Sequence, residues 1–178
     1  MAIVTVKSTA ITNRDAVPSV INDGRLERAT LKGSYGFVAV GAADSATSFY
    51  PLVSVPSTAM VRAVLASCVA GMTTLAGNVG VFLTTKASGG VALGTIAFAG
   101  SATFFASAQT FAAALNRSDI TNAAGTYTTA KREQPLWQAI GMAADPGGTL
   151  DIAVQVATAN TGAAGSMALE VIYVDNGA

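Results

Sequence analysis

The chain has 178 residues, ten basic and ten acidic, with a formal net charge of zero and only 11% charged residues, against about 25% in an ordinary soluble domain. This excludes the clustered Lys and Arg that nucleic-acid binding requires, and a surface so poor in charge favours coverage by partner subunits. The lack of histidine removes the commonest general base, the usual hydrolase triads and the commonest transition-metal ligand.

A chain of this length buries roughly 70% of the surface its unfolded form exposes, so one core suffices without disulfides. A single β-sandwich domain over residues 1–178 is expected. The one cysteine, Cys68, excludes an intrachain disulfide and any CxxC motif, and its apolar setting, MVRAVLASCVA, reads as a small buried thiol. The 36 Ala, 20 Thr and 18 Gly account for the positive mean hydropathy without a membrane span. The longest uncharged stretch, Ala87 to Asn116, carries Gly89, Gly90, Gly94, Gly100 and Gln109, unlike a lipid-embedded helix.

In chain order, MAIVTVKSTAITNRD has no basic start followed by a long apolar run, so no signal peptide is expected. Ile3 to Lys7 reads as a short first strand. Thr9 to Gly24 is polar and turn-rich and reads as an arm or linker that contacts a partner. From Arg28 to Val40 the chain alternates, with Ala29, Leu31, Tyr35 and Phe37 on one face, expected to be core, and Arg28, Thr30, Lys32 and Ser34 on the other.

Ala59 to Ala70, Val79 to Thr84 and Met167 to Val174 are apolar on both faces, as in strands interior to a sheet or covered by a second layer. Phe104 to Leu115 is alanine-rich, with Phe104, Ala108, Phe111 and Leu115 at helical spacing, and reads as one short helix or extended loop. Leu136 to Met142, with the only tryptophan, Trp137, reads as a strand. After the turn Asp145-Pro146-Gly147-Gly148, Leu150, Ile152, Val154 and Val156 alternate with more polar residues and face a core. The total is about eight strands, which fits an all-β jelly roll or related two-sheet β-sandwich.

Chemistry is sparse. The acids Asp15, Asp23, Glu27, Asp44, Asp119, Glu133, Asp145, Asp151, Glu170 and Asp175 form no DxDxDG loop, although a glycosidase-like pair would be spatial and invisible in sequence. Gly89, Gly90 and Gly94 read as turn glycines and not as a phosphate loop. Asn116-Arg117-Ser118 is a glycosylation sequon only in a secretory compartment.

Two charged clusters remain: Arg14, Asp15, Asp23, Arg25, Glu27, Arg28 and Lys32, then Lys131, Arg132 and Glu133 leading to Trp137. Each serves either as a solvated face or as the charge that sets register at a subunit interface. In the second case Arg132 and Trp137 are the natural anchors. Trp137 serves equally as plain core.

The stretches ITNRDAVPSVINDGRLERATLKGSYGFVAV, YPLVSVPSTAMVRAVLAS and KREQPLWQAIGMAADPGG followed by TLDIAVQV together resemble small proteins encoded beside the major capsid protein of short-tailed bacteriophages. The chain is similar, over most of its length, to the jelly-roll cement or decoration proteins of icosahedral heads. The resemblance implies a non-enzymatic virion protein, assembled in the bacterial cytoplasm, that binds the major capsid protein on the capsid exterior as a homo-oligomer, dimer or trimer. It implies no cofactor. The competing expectation is a carbohydrate- or receptor-binding β-sandwich of a phage tail or fibre, which requires exposed aromatic side chains.

Overall fold

The computed structural model describes residues 16–18, 31–83 and 102–175. Backbone contacts divide the chain into two units, Met1–Thr30 and Leu31–Ala178. In the first, only the bend at residues 16–18 is described. The expected strand at Ile3 to Lys7, the arm at Thr9 to Gly24 and most of the first charged cluster (Arg14, Asp15, Asp23, Arg25, Glu27 and Arg28) lie outside the described residues, as do the turn glycines Gly89, Gly90 and Gly94.

Among its described residues the second unit holds eight strands: β1 (Leu31–Val40), β2 (Phe49–Pro56), β3 (Met60–Cys68), β4 (Ala76–Leu83), β5 (Ala106–Thr110), β6 (Leu115–Asp119), β7 (Thr149–Thr158) and β8 (Gly165–Val174). They form two antiparallel four-stranded sheets, ordered β1-β8-β3-β6 and β2-β7-β4-β5. Except for β4 and β5, which pair in one sheet, every consecutive pair of these strands crosses from one sheet to the other, which is the jelly-roll arrangement.

Three of the interior strands, β3, β4 and β8, are the segments whose sequences are apolar on both faces. The fourth, β7, turns Leu150, Ile152, Val154 and Val156 inward, all buried, as its alternation predicts. They meet Val61, Val64 and Ala66 of β3 and Leu169 and Val171 of β8 across the sandwich. Phe104, Phe105 and Tyr127 close one region of the core as an aromatic cluster, with ring centroids 5.1–5.2 Å apart. The Tyr127 hydroxyl donates to the Val61 carbonyl at 2.6 Å, and burial pushes its pKa well above the ordinary phenol value.

Three expectations are corrected. Leu136 to Met142 is not a strand: Leu136–Ala139 is one helical turn, α1, preceded by Pro135 at φ −59, the value proline presets for a first turn. Gly141, at φ +90, ends it. Phe104 to Leu115 is neither helix nor extended loop but holds β5, the following turn and the first residue of β6. Ala108 at φ +47 and, just beyond the segment, Arg117 at φ +51 interrupt the two short strands, each near a register shift. Such breaks destroy the two-residue period.

The third correction concerns β1. Leu31, Tyr35 and Phe37 do share a face, but that face is solvent-exposed. The reason lies at Gly36, on the opposite face, where a Cβ would sit 1.8 Å from the Leu52 carbonyl oxygen of β2. Only glycine permits two backbones to approach this closely, and with Gly36 turned to β2 its odd-numbered neighbours must point outward.

The loop after β1 is clamped to the β7–β8 loop. Asp44 accepts hydrogen bonds from the Tyr50 hydroxyl and, at 2.6 Å, from the Gly41 amide. The buried Asn160 amide donates to the Gly41 and Ala163 carbonyls, both at 2.9 Å. The hydrogen bond from Tyr50, then that from Gly41, holds the Asp44 carboxyl below the usual carboxylate range. Burial and the same bond push Tyr50 up to about 12.

Two predictions follow from this geometry. Gly36→Ala is expected to cost about 3 kcal/mol or more, read as a lower denaturant midpoint with unchanged slope. Because the folded state lowers the Asp44 pKa, the associated stability is complete above the unfolded value of about pH 4 and is lost as pH falls through the lower folded value. Denaturant midpoints measured between pH 7 and pH 2 should therefore fall in acid, and fall less steeply in Asp44→Asn.

Candidate subunit interface

The second charged cluster lies on the connection from β6 to β7, where Thr129–Glu133 forms a 3₁₀ turn ahead of α1. The Lys131 ammonium sits 5.0 Å from the centroid of the Phe104 ring, a cation–π contact. The Asn122 amide, oriented as its neighbours require, donates to the Tyr127 carbonyl at 2.6 Å and accepts from Arg132 Nη2 at 3.0 Å. Arg62 donates to the Arg132 carbonyl at 3.2 Å. Asp119, which accepts from the Thr121 hydroxyl at 2.5 Å, is held below the usual carboxylate range first by that bond and to a lesser degree by the Arg132 charge.

Trp137 is half-buried and packs against the core, and its backbone amide donates to the Ser57 carbonyl at 3.2 Å. Lys131, Arg132 and Trp137 are thus brought together on one segment, and each is engaged within the chain. Glu133 is exposed. Among the described residues, Arg132 Nε is a buried side-chain nitrogen with no hydrogen-bond partner.

A second region collects what the sequence reading assigned to the core. On the outer face of the β1-β8-β3-β6 sheet, Tyr35 and Phe37 are 66% and 72% exposed, with Leu31 at 64% and Val69, just past β3, at 50%. The strand register sets their neighbours. Phe37 lies opposite Ala168, which lies opposite Ser67; Tyr35 lies opposite Glu170, which lies opposite Leu65.

Small side chains beside large aromatic ones leave a groove of about 270 Å³, lined by Tyr35 and Phe37 on the β1 side, by Ser67, Ser166 and Ala168, and by Val69 and Leu115 toward β6. The charges bordering it are paired. Arg117 meets Glu170 at 2.5 Å, and Lys32, from the first charged cluster, meets Asp175 at 2.8 Å beyond the Leu31 end. Cys68, also at the groove, is a buried thiol whose sulfur donates to the Ala113 carbonyl at 3.1 Å. Burial pushes its pKa up, away from reactivity.

Chemistry remains sparse in three dimensions. Among the described residues no three His, Cys, Asp or Glu side chains are grouped as a metal site would need, and no helix is long and apolar enough to cross a membrane.

No family model matches the chain, and no curated protein does. Two solved structures are similar. One is a chain of the cyanophage Pam1 capsid asymmetric unit, 26% identical, covering 82% of this chain and 85% of that one with a TM-score of 0.52. The other is a chain of the capsid of Ralstonia phage GP4, 17% identical, covering 85% of this chain and 89% of that one with a TM-score of 0.54; at that identity it speaks for the fold alone.

The exposed aromatics add little to the fold itself. Phe37→Thr, which keeps a strand-favouring side chain, is expected to change the stability of dilute protein by no more than about 0.5 kcal/mol. Leu169→Ala, in the core, should cost about 2–5 kcal/mol, and denaturant titrations of the two variants side by side check the contrast.

Proposed function

We propose that the chain is a non-enzymatic structural protein of a phage head, and within the head a cement or decoration protein that binds the outside of the icosahedral shell at capsomer junctions. The observation that carries this reading is the likeness to a chain of the Pam1 capsid asymmetric unit, which extends over most of both chains and includes sequence identity as well as fold. The neutral, charge-poor composition supports it, because an apolar face on a repeating lattice becomes interface. The sparse titratable chemistry supports a protein that acts by adhesion.

In this reading the major capsid protein is the partner, and the chain attaches to it as a homo-oligomer after assembly in the bacterial cytoplasm. Multivalent attachment lets individually weak contacts hold. The residues proposed for attachment are Arg14, Asp15, Arg25, Glu27 and Arg28, with Lys131, Arg132 and Trp137, where charge sets the register of an otherwise apolar contact. Lys131 and Arg132 act here mainly through the loop they brace.

The exposed Tyr35 and Phe37 give a second reading some footing, a carbohydrate- or receptor-binding sandwich of a tail or fibre, since stacking on sugars needs such rings. A glycan array separates the two. The head reading predicts no specific glycan binding, co-sedimentation of the protein with purified heads at stoichiometric copy number, and heads that break more readily on heating when it is missing. Recovery at a few copies per particle, or from tails alone, would contradict it. Reversing the charge of Arg25 and Arg28 together should lower head occupancy; unchanged occupancy would return both residues to a solvated face.

A further inference from the structure

The outer face of the β1-β8-β3-β6 sheet carries a ridge beside a groove. Tyr35 and Phe37, two residues apart on β1, form a ridge that leaves the sheet at its edge strand. Beside the ridge, Ala168 and Ser67 leave the groove of about 270 Å³. A cavity of about 150 Å³ already accommodates a benzene ring, so the groove has room for the aromatic side chain of another molecule.

We propose that this face is where copies of the chain associate, with the ridge of one copy seated in the groove of a second. The inference rests on the homo-oligomer in the reading above and names its surface. Three features favour a second copy as the occupant.

The first is area. At their observed exposures Leu31, Tyr35, Phe37 and Val69 offer roughly 450 Å² of largely apolar surface, at the size of the largest patch on a typical monomer. A second copy contributes the same again, and with the groove floor the contact comes to about the 1,000 Å² that a specific interface needs. The second is charge. A surface that meets its own copy repels itself if it carries net charge. Here Arg117 neutralises Glu170, which stands opposite Tyr35. The third is shape, since a ridge and a groove on one patch satisfy each other between identical subunits, by a two-fold axis or around a closed ring.

Edge pairing is a weaker route to the same end. On the far side of the sandwich the edge strands β5 and β6 are short and broken by Ala108 and Arg117 at positive φ, a device that discourages strand addition. Among the described residues of the second unit, the exposed large apolar side chains lie on the sheet face.

The test is the mass of purified full-length protein by light scattering at tens of micromolar, in the absence of heads. Wild type should give a whole multiple of 17.8 kDa. The double variant Tyr35→Thr/Phe37→Thr, which removes the ridge, and the single variant Val69→Glu, which charges the opposite wall of the groove, should each fall to the mass of one chain while keeping the wild-type β-sheet circular dichroism.

A wild type that is monomeric at these concentrations overturns the proposal, as does an oligomer that survives both folded variants. Loss of head binding by a ridge variant of a monomeric wild type would assign the face to the shell protein, and specific glycan binding by such a wild type would assign it to a sugar; either overturns the proposal. The mass measurement uses no heads, so a failure of oligomerisation is separable from a failure of the head reading, which is read from co-sedimentation.

Discussion

The approach of β1 to β2 at Gly36 governs most of what is distinctive in this molecule. A strand has two faces and one choice between them. A position where a Cβ would fall 1.8 Å from the Leu52 carbonyl oxygen makes that choice without appeal to hydrophobicity. With Gly36 turned toward β2, Val38 and Val40 turn into the core, Tyr35 and Phe37 face outward, and the two rings form an aromatic ridge on the surface. In most strands the apolar face goes in because burial of each large side chain stabilises by about 1.5–3 kcal/mol. Here both faces of β1 carry apolar side chains, the close approach at Gly36 and the burial of Val38 and Val40 select the same inward face, and the exposed rings are then available to another molecule.

The rest of the sandwich gives the ridge a rigid footing. The strands β8 and β3 behind it turn Met167, Leu169, Val171, Val61, Val64 and Ala66 into the core. The Asp44, Tyr50 and Asn160 network ties the loop after β1 to the β7–β8 loop. Lys131 and Arg132, which by residue type invite a reading as partner contacts, brace the β6–β7 connection through Phe104 and Asn122. Among the described residues of the second unit, Asp44, Lys131 and Arg132 fasten loops, and the exposed large apolar side chains lie on one sheet.

Much of the fold was legible in the sequence. The strands β3, β4, β7 and β8 carry either strict alternation or apolar residues on both faces, and they are the four interior strands. The edge strands were harder. Pro51 sits at a register shift inside β2, and prolines mask a strand that tolerates them only because it lies at an edge. Ala108 and Arg117 break β5 and β6 so that Phe104, Ala108, Phe111 and Leu115 imitate a helix, while the four-residue helix at Trp137 imitates a strand. Of the candidate interface, the charged residues were chosen by type, and the aromatic ridge was missed because Tyr and Phe on an alternating strand ordinarily mean core. Gly36 in mid-strand, with Val38 and Val40 on the same face, was the signal that could have reversed the assignment.

A protein that works by adhesion should be found with its sticky face covered. A cryo-electron microscopy map of the intact particle that carries this chain tests that most directly. The account predicts copies of the sandwich on the outside of the shell, with the rings of Tyr35 and Phe37 of one copy enclosed by another copy. Absence of the sandwich from the shell, or a shell-bound sandwich whose two rings face open solvent, would contradict it.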